Sequence, residues 1–118
     1  MTRHVFLVQL RDDPQAIAAY RAHHRQVWPE VIRSLRDVGV QAMDIHLLGR
    51  TAVMIVELED GVDVQRAFSA HRGSSARVAE WEQLMKSLQQ PSPDAAAGEW
   101  WAQMEPVFRL AADKPVAG

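Results

Sequence analysis

Two apolar runs, Val40 to Leu48 and Thr51 to Leu58, are separated only by Gly49-Arg50. A two-residue connection containing a glycine makes a tight antiparallel β-hairpin the simplest geometry, and the rest of the chain must be arranged around it. Upstream, His4 to Leu10 is mostly apolar and stops at Arg11-Asp12-Asp13-Pro14, which predicts a buried strand followed by a helix start. Asp13 is the expected N-cap, and Pro14 suits the first helical position because its missing N–H has no partner there anyway. Ile17, Tyr20, His24 and Val27 share one face of the helix predicted over Gln15 to Val27. Pro29 breaks it and pushes Trp28 toward an extended conformation; helical spacing resumes through Val31, Ile32, Leu35 and Val38 until Gly39.

Downstream of the hairpin, Val62 to His71 and Ser74 to Gln89 carry helical spacing, with Val78, Trp81, Leu84, Met85 and Leu88 as the stripe of the second piece. Gln90 to Gly98 reads as a surface loop and Val107 to Leu110 as a short closing strand. The prediction is one domain over 1–111, followed by a flexible tail at 112–118. Strand, helix, hairpin, helix, strand is β-α-β-β-α-β, the ferredoxin-like α+β arrangement, with helices on one face of a four-stranded antiparallel sheet. There is helix enough for one face only. The other face is expected to meet an identical subunit or to line a ligand cavity, and a homodimer is the simpler of the two.

Composition narrows the function. At 118 residues and 47% hydrophobic, the chain has material for one core and not for two domains. Thirteen Lys and Arg against fifteen Asp and Glu leave −2, which gives no electrostatic basis for nucleic acid or an anionic membrane as partner. The absence of cysteine excludes a disulfide framework, a thiolate metal site and a Cys nucleophile. The N-terminal apolar run is too short for a signal core, and no window approaches the roughly 20 apolar residues of a membrane span, so a soluble cytoplasmic protein is expected.

The residues that could carry chemistry begin with Tyr20, His24 and Trp28, spaced i, i+4, i+8. Two proton-transfer groups beside an aromatic wall suit a neutral polyol, whose C–H face lies on a flat ring while its hydroxyls meet an acid and a base. The same spacing also suits a helix face packed into a core, with Tyr and His satisfied by backbone carbonyls. His23 points about 100° away and reads as a solvated neighbour. Trp81 lies on an apolar stripe, as core or ligand contact, and Glu82 beside it reads as solvent-facing. Trp100 and Trp101 follow the Pro-rich loop, where they cap a pocket or pack into a dimer interface. Asp44 and His46 share a strand face and pair structurally or as a dyad. His71 reads as a helix end favoured by the macrodipole. No histidine spacing gives a compact metal site, and no dinucleotide, phosphate-loop or serine-hydrolase motif occurs.

Taken together, Val5-Phe6-Leu7-Val8-Gln9, Tyr20 to His24 leading into Val27-Trp28-Pro29-Glu30, Trp81, and Glu105 to Leu110 resemble the L-rhamnose mutarotase family over nearly the whole chain. Y-x-x-x-H-x-x-x-W-P-E is the most specific piece. The resemblance implies a dimeric α+β barrel that interconverts the α and β anomers of a 6-deoxy-L-hexose without a cofactor. It also implies that His24 is the proton donor, with Tyr20 and Trp81 as sugar contacts. Met43 stands where the family has a sugar-binding tyrosine, and Glu82 where it has a second tryptophan. With Trp28, Trp100 and Trp101 added to the expected sugar contacts, this points to a reshaped pocket for L-rhamnose or L-fucose. The rival readings are a dimeric-barrel monooxygenase or isomerase of a small aromatic substrate, and a non-catalytic ligand-binding module.

Overall fold

The computed structural model describes residues 1–110. The first strand, β1 (Thr2–Leu10), leads into α1 (Pro14–His24) and α2 (Pro29–Asp37); the hairpin β2 (Val40–Leu48) and β3 (Thr51–Leu58) follows. Then come α3 (Val64–Arg72), α4 (Ala76–Lys86), and two short strands, β4 (Gln89–Gln90) and β5 (Ala102–Met104). The sheet runs β2-β3-β1-β4 with β5 also on β1, all pairings antiparallel. This is the expected ferredoxin-like α+β architecture. Asp13 caps α1 by accepting the Gln15 amide at 3.0 Å, and Ser75 caps α4 through the Val78 amide at 3.2 Å. No helix among the described residues is long and apolar enough to cross a membrane.

Alternation along the strands sends Phe6, Val8 and Leu10 of β1 and Ala52, Met54, Val56 and Leu58 of β3 to the helical side, where all are buried. A fully buried Leu or Val side chain contributes about 1.5–3 kcal/mol, so these two strands anchor the core. Their alternate residues, among them Val5, Leu7, Val53 and Ile55, form the opposite sheet face and are half-buried. On β2 the helix-facing residues Met43, Ile45 and Leu47 are also only half-buried, because the helical layer does not fully cover this edge strand.

The C-terminal expectations need correction. The closing strand is not Val107 to Leu110: Val107, Phe108 and Leu110 are 89%, 83% and 84% exposed, so nothing is buried that would hold a strand there. The edge position beside β1 is filled in two pieces, β4 against Gln9 and Leu10 and β5 against Val5 to Leu7. The second long helix therefore ends at Lys86 rather than Gln89, and Gln89 joins the sheet. The loop between the pieces is closed by a hydrogen bond from the Ser92 amide to the Trp100 carbonyl at 2.8 Å. The tail expected at 112–118 lies outside the described residues.

Gly39 turns α2 into β2 at φ +105°, and a Cβ there would meet Val62 Cγ2 at 3.0 Å. Gly49, in the hairpin at φ +60°, has nothing within 4 Å of such a Cβ. In urea denaturation Gly39→Ala is expected to lose about 2–3 kcal/mol, from backbone strain plus displacement of Val62. Gly49→Ala should lose about 1 kcal/mol from the backbone alone. Equal losses would show that the Val62 contact is without consequence.

Candidate active site

Where the helical layer falls short over β2, a cavity of about 390 Å³ opens between sheet and helices. Its floor includes Phe6, Met43 and Met54, and its walls include Tyr20 and His24 from α1 and Trp81 from α4. The i, i+4 spacing stacks Tyr20 on His24, with ring centroids 4.3 Å apart. Trp81, 5% exposed, presents an edge to His24 at 5.6 Å and 71°. Trp101, from the loop before β5, completes an aromatic rim.

The tautomer of His24 follows from one contact. Its Nδ1 lies 2.8 Å from the Tyr20 carbonyl oxygen, which can only accept, so Nδ1 carries the hydrogen. In the neutral ring Nε2 then holds a lone pair, and it has no hydrogen-bond partner among the described residues. Burial lowers the His24 pKa below 6.5, against the smaller raising effect of the Tyr20 carbonyl, which favours this neutral, proton-accepting form. Burial pushes the Tyr20 phenol up to about 12, with the Gln89 side chain working in the other direction. Tyr20 is therefore a hydrogen-bond donor at neutral pH.

A second polar group lines the same cavity. His71, 5% exposed, joins Ser34 through Nδ1 at 2.8 Å, and its Nε2 faces Glu82 Oε1 at 3.6 Å. Burial raises the Glu82 pKa, partly offset by Arg72 and Lys86, and burial lowers that of His71, reinforced by the charge of Arg72. Arg72 pairs with Glu99 at 3.7 Å where both line the cavity. No group of three or more His, Asp or Glu side chains that could hold a metal ion occurs among the described residues.

Of the residues singled out from sequence, Tyr20, His24, Met43, Trp81 and Trp101 line one cavity, while Trp28 and Trp100 do not. Helix α1 stops at His24, so Trp28 leaves the helical register and becomes the extended residue before α2. Its ring supports Trp81 from behind, 5.2 Å away, with the Arg77 guanidinium 3.6 Å from its centroid. Trp100 packs with Lys86, whose Nζ is 5.5 Å from the ring centroid. Asp44 and His46 do share a strand face, but it is the one away from the helices. One expectation is corrected: Glu82 is half-buried and lines the cavity instead of facing solvent. His71 does lie in the last turn of α3, as expected, and it is in addition a buried wall residue of the cavity. The unmatched Glu82 beside Trp81 was the available signal for its place in the cavity. Nothing in the local sequence pointed to that of His71.

Fold and cavity define a ferredoxin-like α+β protein with a cavity of small-molecule size lined by aromatic rings and acid–base side chains. Residues 3–110 match the family model described as L-rhamnose mutarotase. An L-fucose mutarotase from Xanthomonas campestris pv. campestris is 34% identical over 93% of this chain and 89% of its own length. An L-rhamnose mutarotase from Acidiphilium cryptum is 29% identical over 81% of this chain and 88% of its own. Among solved structures, an L-rhamnose mutarotase from Formosa agariphila superposes with TM-score 0.68 at 22% identity, covering 94% of this chain and all of that one. Tetracenomycin F2 cyclase from Streptomyces glaucescens shares the fold at TM-score 0.58 and 16% identity, over 96% of this chain and all of that one. The chain belongs to the L-rhamnose mutarotase family, and with it to the isomerase-type carbohydrate enzymes.

The buried histidines set a pH dependence whose sign is fixed. A histidine whose pKa is lowered by folding binds protons more weakly than in the unfolded chain, so its contribution to stability is intact above 6.5 and is lost as pH falls below it. Glu82, raised, works in the opposite direction above 4.5. Ring-proton NMR between about pH 7 and pH 5 is expected to show His24 and His71 titrating below the ordinary histidine value. A midpoint at or above that value for His24 would contradict the neutral form described here.

Proposed function

We propose that this chain interconverts the α and β anomers of a 6-deoxy-L-hexose, L-fucose ahead of L-rhamnose, with His24 moving the proton at the anomeric hydroxyl. The observation that carries the reading is the bond between His24 Nδ1–H and the Tyr20 carbonyl, which leaves Nε2 as a proton acceptor on a residue lining an aromatic-walled cavity. Family membership supports the reaction class, and the higher identity of the L-fucose relative over most of the chain supports the order of the sugars. The cavity volume falls in the range of small-molecule sites, about 300–1,000 Å³.

Mutarotation fits these groups. A base removes the anomeric hydroxyl proton, the C1–O1 bond becomes a carbonyl, the C1–O5 bond breaks, and the ring oxygen takes up a proton. The aldehyde turns about C1–C2 and the ring closes with every transfer reversed. Neutral His24 is the base on opening and, as imidazolium, the acid on closing, so the same ring serves both directions near neutral pH. Tyr20 donates a hydrogen bond to the sugar, and Trp81 and Trp101 supply the flat surfaces for its C–H groups.

In anomer exchange followed by NMR saturation of one anomeric proton, His24→Ala is expected to be slower by about 10²–10⁴-fold with the fold intact. His23→Ala, whose ring meets only the edge of Trp81 and lies outside the cavity, should exchange at the native rate. Native exchange in His24→Ala would move the acid–base role elsewhere. Failure of the unaltered protein with both sugars would discard the reading.

The half-buried apolar face of Val5, Leu7, Val53 and Ile55 supports a homodimer through the sheet. Such interfaces bury on the order of 2,000 Å² or more. Sedimentation at micromolar concentration is expected to give a dimer, and a stable monomer would refute this assembly.

A further inference from the structure

Ring opening needs two groups, and the tautomer fixed by Tyr20 brings His24 to the sugar as an acceptor only. The ring oxygen still requires a donor. Resting on the mutarotase reading of this cavity, we propose that Glu82 is the second catalytic acid–base group, positioned by His71, which protonates the ring oxygen on opening and takes that proton back on closing.

The argument starts from the protons behind Glu82. Ser74 Oγ donates to the His71 carbonyl oxygen at 2.7 Å, since a carbonyl can only accept. With its one hydrogen so used, Ser74 must accept from Ser34 Oγ at 2.8 Å, and Ser34 must in turn accept from His71 Nδ1 at 2.8 Å. All three bonds exist together in this one arrangement. Neutral His71 therefore presents a bare Nε2 toward Glu82 Oε1, 3.6 Å away, and a lone pair facing the carboxyl favours its protonated over its charged form. Burial acts in the same sense, raising the Glu82 pKa.

The charged and titratable groups around Glu82 leave this carboxyl free to work. From α3 it faces His71 and Arg72, but Arg72 is paired with Glu99 of the loop between β4 and β5. From its own helix Lys86 is four residues on, over the ring of Trp100. From α1 it is close enough to Tyr20 that its charge, when it is ionised, pushes the phenol further up. That phenol is a weaker acid than a carboxyl, which makes Glu82 the better proton donor to a ring oxygen and Tyr20 a hydrogen-bond donor. His24 and Glu82 line the same cavity from different helices, as the two reacting oxygens require.

The steps balance. Neutral His24 Nε2 takes the O1 proton, the electron pair forms the C1–O1 double bond, the C1–O5 bond breaks, and O5 receives the Glu82 proton. An imidazolium and a carboxylate then line the cavity around the open-chain sugar. Closure on the other face of C1 returns the O5 proton to Glu82 and the His24 proton to O1. The active enzyme carries one proton shared between two groups, so its rate follows a bell-shaped pH profile.

Anomer exchange of L-fucose and L-rhamnose, measured across pH, tests this. Glu82→Gln is expected to lower kcat by about 10²–10⁴-fold with KM within about threefold, and to reduce the bell to a single ionisation. Glu82→Ala should be partly rescued by added formate, which enters as the missing acid. His71→Asn removes the lone pair that faces the carboxyl and should displace the profile toward lower pH. A native rate or an intact bell in Glu82→Gln, absence of formate rescue in Glu82→Ala, or an unmoved profile in His71→Asn overturns the assignment. If the unaltered protein exchanges neither sugar, the mutarotase reading itself falls; if it exchanges them and Glu82→Gln does so equally well, only this inference falls.

Discussion

Everything in this fold hangs on β1. Like β3, which lies between it and β2, it has partners along both edges, β3 over eight residue pairs on one side and the split pair β4 and β5 on the other. Its alternate side chains Phe6, Val8 and Leu10 are driven into the helical layer by the hydrophobic effect. Burial and ladder hydrogen bonding act on the same residues, so the register of the sheet and the placement of the helices are decided together. The cavity lies where this arrangement gives out, over β2, whose residues have strand neighbours on one edge only and incomplete cover above.

Within the cavity, electrostatics follow from burial more than from ion pairing. Desolvation is the leading cause of the shifts at Tyr20, His24, His71 and Glu82 alike. Each is displaced toward its uncharged form. A site of neutral hydrogen-bonding groups between aromatic rings matches a neutral, polyhydroxylated ligand better than an anionic one.

The sequence spoke clearly where a residue's local pattern and its tertiary role coincide. The Gly49-Arg50 hairpin, the Asp13 cap and the strand–helix order are local facts, and they hold in three dimensions. The spacing of Tyr20 and His24 put two rings in contact because both lie within α1. Trp28 escaped the same logic because one proline later in the chain ended the helix before reaching it. His71 and Glu82 were legible only through partners distant in sequence: Ser34 lies 37 positions from His71, and that contact gives the ring its role as a wall. The closing strand was misplaced because apolar composition at Val107 to Leu110 gives no measure of whether a surface exists to receive it.

The interrupted edge of the sheet has a consequence for how such an enzyme diversifies. Because β4 and β5 each hold to β1 by their own short ladder, the stretch between them carries Glu99 and Trp101 to the cavity without bearing the register of the sheet. Insertions, deletions and new side chains in that stretch alter the cavity rim while the strand pairing stays as it is. The shape of the cavity rim and the register of the sheet are thereby decided by separate stretches of the chain.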